Sequence, residues 1–121
     1  NLQTGQRAWY VRPPAVPCAS PNDRRCVQAQ SSAVTLIPGV VFSGATNGIM
    51  RAYATSDGRI LWTQQTWQDY ETVNGVPASG GSLDGGGATV VNGMVYMYSG
   101  YAMIRSGTPG NVFLAFAVPN P

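Results

Sequence analysis

Histidine and lysine are both missing from this 121-residue chain. Without histidine there can be no Ser–His triad, no Cys–His nucleophile, no ordinary zinc site and no Cys-x-x-Cys-His haem attachment. The seven cations are all arginines (Arg7, Arg12, Arg24, Arg25, Arg51, Arg59 and Arg105), and five acids leave a net charge of only +2. A nucleic-acid-binding domain carries a dense basic patch. Here only Arg24–Arg25 forms even a pair, so that class is excluded. No stretch approaches the ~18 consecutive apolar residues of a membrane-spanning helix. The first residues also lack the positive-then-apolar pattern of a signal peptide. With no initiator Met, the chain reads as a mature product or an excised segment, of a length that fits one ordinary domain.

Cysteine is scarce: Cys18 and Cys26, in "CASPNDRRC", are the only two. Two thiolates cannot complete a zinc shell, which leaves a disulfide or a pair of free thiols. A bridge across so short a loop would stabilise the fold by roughly 2–3 kcal/mol. The Pro-, Asn- and Asp-rich filling suits a surface loop, where a covalent staple helps most. A disulfide is therefore the expectation, and with it an exported, oxidising location, periplasmic or secreted.

What the chain does contain is a repeat. "TGQRAW" at 4–9 and "SDGRILW" at 56–62 share a glycine and a tryptophan at one spacing, Gly5 with Trp9 and Gly58 with Trp62, 53 residues apart. "GVVFSG" at 39–44 matches "GMVYMYSG" at 93–100, and "MRAYA" at 50–54 matches "FLAFA" at 113–117 once the insertion "YAMIRSGTPG" at 101–110 is allowed for. A period of this size belongs to a propeller blade. Short runs rich in β-branched and aromatic residues predict strands over 7–12, 33–37, 40–44, 49–54, 60–66, 88–91, 94–99 and 112–118. Pro38-Gly39, Asn47-Gly48, Asp57-Gly58 and Asn92-Gly93 supply the residues that tight hairpins require. In this reading 1–12 ends in the outer strand of a truncated blade and 13–32 is a Cys-containing rim loop. Residues 33–66 make a complete four-stranded blade, 67–87 a Gly-rich rim loop, and 88–121 a following blade, incomplete or closing. Trp9 and Trp62, with Gly5, Gly58 and Ala52, are expected to dock one blade on the next, each indole burying ~150–250 Å².

Loop lengths are lopsided. The connections between first and second strands are minimal, whereas 13–32 and 67–87 run to about twenty residues each and 100–111 is also long. In an up-and-down blade these long connections share one face. Crossing between blades spans only ~14–15 Å, three strand spacings, so the surplus points to function or disorder. In 67–87 the glycines allow backbone to approach a ligand closely, and Asn74, Gly80, Gly81, Ser82 and Asp84 are the candidate contacts. Asp69 and Glu71 are further oxygen donors, and oxygen-only ligation suits Ca²⁺ or Mg²⁺. The competing reading has the Gly run merely turning a corner, with Asp84 capping a turn. Trp67 and Tyr70 could stack on a planar ligand or simply pack between blades. Arg24–Arg25 could clamp a carboxylate or stand solvated.

These residues are also familiar as a set. "IMRAYATSDGRILW" resembles the Ala-x-Asp-x-x-Thr-Gly-x-x-x-Trp repeat of the pyrroloquinoline-quinone (PQQ) propellers; Ala52, Gly58 and Trp62 match, while Ala54 and Asp57 stand where the pattern has Asp and Thr. "SAVTLIPGVVFSGATNGIMRAYATSDGRILW", "TVNGVPASGGSLDGGG" and "SGYAMIRSGTPGNVFLAF", in that order, resemble the C-terminal part of the polyvinyl-alcohol dehydrogenases and close quinoprotein relatives. The resemblance implies an eight-bladed propeller with PQQ on the channel axis and a divalent cation, usually Ca²⁺, polarising the quinone. An Asp accepts the alcohol proton as hydride passes to PQQ, and electrons leave to cytochrome c, with haem c carried on a further domain in some members. The catalytic Asp and the cofactor-stacking aromatic have no assignable match here. The expectation is thus an all-β fragment, about two antiparallel blades, from a quinoprotein alcohol dehydrogenase; the fragment itself is expected to be inactive. Its partners would be the rest of the propeller, an alcohol substrate and cytochrome c. The alternative is a non-catalytic propeller scaffold for protein–protein interaction.

Overall fold

The structure, a computed structural model, describes residues 1–16, 23, 27–101 and 107–118. The Cys18–Cys26 pairing, the Arg24–Arg25 pair and Arg105 lie outside the described residues. Among those residues there is no helix, and so none long and apolar enough to cross a membrane.

Turn chemistry and alternation together generate two antiparallel sheets. The first has four strands in chain order, β1 (Thr35–Ile37), β2 (Val40–Gly44), β3 (Ile49–Ala54) and β4 (Ile60–Gln65). A small hairpin follows, β5 (Asp69–Tyr70) with β6 (Ala78–Ser79), and then a three-stranded sheet of β7 (Thr89–Val91), β8 (Met94–Ser99) and β9 (Val112–Ala117). Two turn types start equivalent hairpins. Pro38-Gly39 places only Gly39 at positive φ, whereas Asn92 (φ 50°) and Gly93 (φ 74°) are both left-handed, as the two central residues of a type I′ turn must be. The architecture is a fragment of a β-propeller.

Alternation decides which faces meet. Phe42, Met50 and Ala52 of the first sheet form one core cluster with Leu83, Ala88 and Met97, flanked by Val40, Trp62, Val95, Leu114 and Phe116. Burying each large side chain contributes ~1.5–3 kcal/mol. Trp62 meets Phe116 edge to face, ring centres 5.2 Å apart and planes at 70°, a favoured aromatic geometry. At the other margin of the interface the Ala33 amide donates to the Gly85 carbonyl over 2.9 Å, and the Ser32 hydroxyl donates to the Gly86 carbonyl over 3.0 Å.

Trp9 and Trp62 occupy equivalent settings. Trp9 lines a cavity with Val41 and Tyr53, while Trp62 lines one with Val95 and Phe116, which stand at the matching repeat positions. Trp9 also donates its indole N–H to the Thr55 carbonyl over 2.8 Å. Its ring lies 2.6 Å from where a Cβ on Gly58 would stand, so that glycine leaves room for the indole of the preceding segment.

Two expectations need correction. Residues 7–12 are not a strand. Among the described residues no strand lies on that side to take their N–H and C=O groups, so the tryptophan docks without a ladder. The segment 67–87 is not featureless loop, because Asp69–Tyr70 pairs with Ala78–Ser79 inside it. The strands over 40–44, 49–54 and 94–99 form over the expected residues, and β1, β4, β7 and β9 are each shorter than expected.

Candidate functional site

The long connections do converge. Residues 79–83 leave β6 as a strap wedged between the turn 45–48 and residues 100 and 108–111. On one side the Leu83 amide donates to the Ala45 carbonyl (3.1 Å) and the Ser82 hydroxyl to the Thr46 carbonyl (2.6 Å). On the other, the Ser82 amide donates to the Thr108 carbonyl (2.9 Å), the Gly100 amide to the Ser82 carbonyl (3.0 Å) and the Asn111 amide to the Ser79 carbonyl (2.8 Å). The 27–29 segment reaches the same turn, where the Thr46 amide donates to the Ala29 carbonyl over 2.9 Å.

Glycine is needed in the strap because backbone presses on backbone there. A Cβ on Gly80 would stand 1.7 Å from the Thr66 carbonyl oxygen, and one on Gly81 would stand 2.3 Å from that of Thr108. Ser82 is 2% exposed, so its polar atoms face the protein interior. Asn74 sits instead in the exposed tip between β5 and β6, where its side-chain oxygen accepts from the Val76 amide (3.2 Å) and the Thr72 hydroxyl. Asp84 is half-buried at the exit of the strap and is not without partners. The strap thus gathers Gly80, Gly81, Ser82 and Asp84 into one segment and leaves Asn74 out on the tip.

Sequence reasoning missed a set of buried small polar side chains beneath the strap. Asn47, Thr66 and Ser99 are each at most 1% exposed. The Thr66 hydroxyl donates to the Gly48 carbonyl over 2.8 Å, and the Ser99 oxygen accepts from the Gly81 amide over 3.0 Å. The side-chain nitrogen of Asn47 is buried with no partner. Tyr70 reaches the same region, its hydroxyl donating to the Thr66 carbonyl over 3.2 Å. Burial pushes its phenol above the usual tyrosine range, with a hydrogen bond from Gln68 opposing.

Beside the strap, Asp69, Pro77, Ala78, Ser79, Pro109, Gly110 and Asn111 line an open cleft of about 630 Å³. Spacing gave no hint of it, because its two walls come from separate connections. Among the described residues no three His, Cys, Asp or Glu side chains cluster to hold a metal.

Two curated relatives match nearly the whole chain. A polyvinylalcohol dehydrogenase of a Pseudomonas species is 43% identical over 126 residues, and that alignment takes in 98% of this chain. The chain is homologous to the C-terminal part of polyvinyl-alcohol dehydrogenase. A second polyvinyl-alcohol dehydrogenase, from Sphingopyxis sp. (strain 113P3), is 38% identical over 128 residues and again matches 98% of the chain. The chain spans only about a fifth of these relatives, 20% and 19% respectively. No family model matches the chain. The similarity to dehydrogenases therefore rests on these two polyvinyl-alcohol dehydrogenases.

Proposed function

We propose that this chain is the C-terminal part of a quinoprotein that oxidises the hydroxyl groups of polyvinyl alcohol by hydride transfer to PQQ. Ca²⁺ is its cation, cytochrome c its electron acceptor, and the periplasm or an extracellular space its location. The observation carrying this reading is identity of 43% over essentially the whole chain to a protein of that name.

The described residues alone do not form a cradle for PQQ and Ca²⁺. Ca²⁺ takes 6–8 oxygen ligands, and no acidic cluster of that kind exists among them. The polar groups of Ser82 bond to Thr46, Gly100 and Thr108 rather than pointing outward. In this reading the piece contributes the strap and Asp84 at its exit, and the remaining groups come from the rest of the parent. By itself the fragment turns nothing over, since a channel walled by a full ring is not closed by two sheets.

The test is the full-length parent loaded with PQQ and Ca²⁺ and assayed on polyvinyl alcohol with an artificial electron acceptor. Turnover that requires both additions is expected. An Asp84→Ala parent should bind PQQ at least tenfold more weakly; unchanged affinity and turnover would remove Asp84 from the site.

A further inference from the structure

We infer that the cleft between the β5–β6 hairpin and residues 109–111 is a binding subsite for a neutral polyhydroxylated chain, holding polymer on the rim. This rests on the polyvinyl-alcohol reading above and adds to it a place and a set of contacts.

The cleft's chemistry follows from which polar groups are already committed. The Ser79 amide donates to the side-chain oxygen of Asn111 over 2.9 Å, and the Asn111 amide donates back to the Ser79 carbonyl over 2.8 Å. These reciprocal bonds join the two walls and use up that backbone, so a peptide cannot add there as an extra strand. The bond to its oxygen also fixes the Asn111 amide group, whose nitrogen carries two donor hydrogens with no partner among the described residues. Asp69 lies across the β5–β6 pair from Ser79, and its carboxylate makes no side-chain bond among the described residues. The side-chain groups left to serve the cleft are therefore one carboxylate, one hydroxyl and one amide nitrogen.

That set discriminates between ligands. A single carboxylate cannot hold a hard cation that takes six or more oxygens, and it repels anions. Among the described residues no aromatic ring lines the cleft to stack a planar molecule. Hydroxyl groups suit it well, because each can donate to Asp69 in a charge-assisted bond and accept from Asn111. Pro77 and Pro109 provide apolar, donor-free wall against which the methylenes between hydroxyls can lie. The cleft is open and, at about 630 Å³, as large as the pockets that take drug-sized ligands. That suits a chain passing through better than a single small alcohol. It also begins at Ser79, where the strap that leads to Asp84 starts.

The experiment uses the intact parent and two variants. Asp69→Ala removes the acceptor; Asn111→Asp keeps the oxygen that receives the Ser79 amide and replaces only the donor nitrogen. Native gel electrophoresis through polyvinyl alcohol should retard the parent, with the apparent affinity falling roughly tenfold in each variant, the scale of one hydrogen bond to a charged group. In turnover, KM for polyvinyl alcohol should rise by the same factor while kcat, and KM for 2,4-pentanediol, stay constant. Failure of the parent to be retarded, or equal retardation of parent and variants, overturns the subsite. So does a KM rise shared by polymer and small diol, which would mark a structural defect. A parent that is retarded but does not oxidise the polymer would refute the dehydrogenase function and leave the subsite standing.

Discussion

The hydroxyl oxygens of Thr66 and Ser99 lie 2.8 Å apart with neither residue exposed, and they tie the end of the first sheet to the end of β8. Thr66 also reaches the Gly48 carbonyl (2.8 Å) and Ser99 the Gly81 carbonyl (3.2 Å), so with one hydrogen each, either hydroxyl can be the donor between them. Ser99→Ala strands the Thr66 oxygen and the Gly81 amide in the interior. The expected loss is ~1–3 kcal/mol for such unsatisfied groups, read as a shift in the urea midpoint with unchanged slope.

Gly58 is the second point where a small change is costly. It has a φ of +75° and the Trp9 ring fills the space a Cβ would need. Gly58→Ala is expected to cost ~1–2 kcal/mol from the left-handed backbone alone, and to push the indole out of its seat. Loss of the indole bond to Thr55 should appear as a red shift of tryptophan emission. No such shift is expected for Gly5→Ala, since nothing lies within 4 Å of that Cβ position.

Arg51 stands on the fully buried strand β3, only 3% exposed, and its Nε and one terminal nitrogen have no hydrogen-bond partner. An uncompensated buried charge is worse than a well-packed apolar side chain. Arg51→Met should therefore stabilise the isolated chain, by ~1–4 kcal/mol, in denaturant unfolding. An unchanged or lowered midpoint would show that the guanidinium is paired in solution.

The outer face of the second sheet is uncovered. Tyr98 and Phe113 are 60% and 55% exposed and in ring contact with each other, with Phe113 stacked on Tyr96 and Tyr98 edge-on to Tyr101, and β9 presents an edge unpaired among the described residues. Open edges and exposed aromatic patches promote association. The isolated chain is expected to sediment as a mixture of oligomers, and a Tyr98→Lys, Phe113→Lys double variant as a monomer.

The parts of this fold that could be read in advance are those encoded locally. Pro38-Gly39 and Asn92-Gly93 mark hairpins because few other residues tolerate the backbone they need, and the strands between such turns fell where expected. The β5–β6 hairpin escaped because two-residue strands are too short to alternate. The segment 7–12 misled because its composition is that of a strand, while strand formation depends on a neighbour. Among the candidate site residues, Gly80, Gly81 and Ser82 share the strap and Asp84 follows it, as their adjacency in the chain already implied. Thr66, Ser99 and Asn47 gave no signal, since a small polar residue acquires its role only from what folds on top of it. A run of glycines likewise reads the same whether ligand or backbone lies against it, and at Gly80 and Gly81 it is backbone.

The strap carries one more implication. Both its margins are already stitched to neighbouring turns, so this portion of the rim is finished before any small molecule arrives. A small molecule reaching this face would meet backbone already in place, so the strap should keep its conformation whether or not anything is bound beside it.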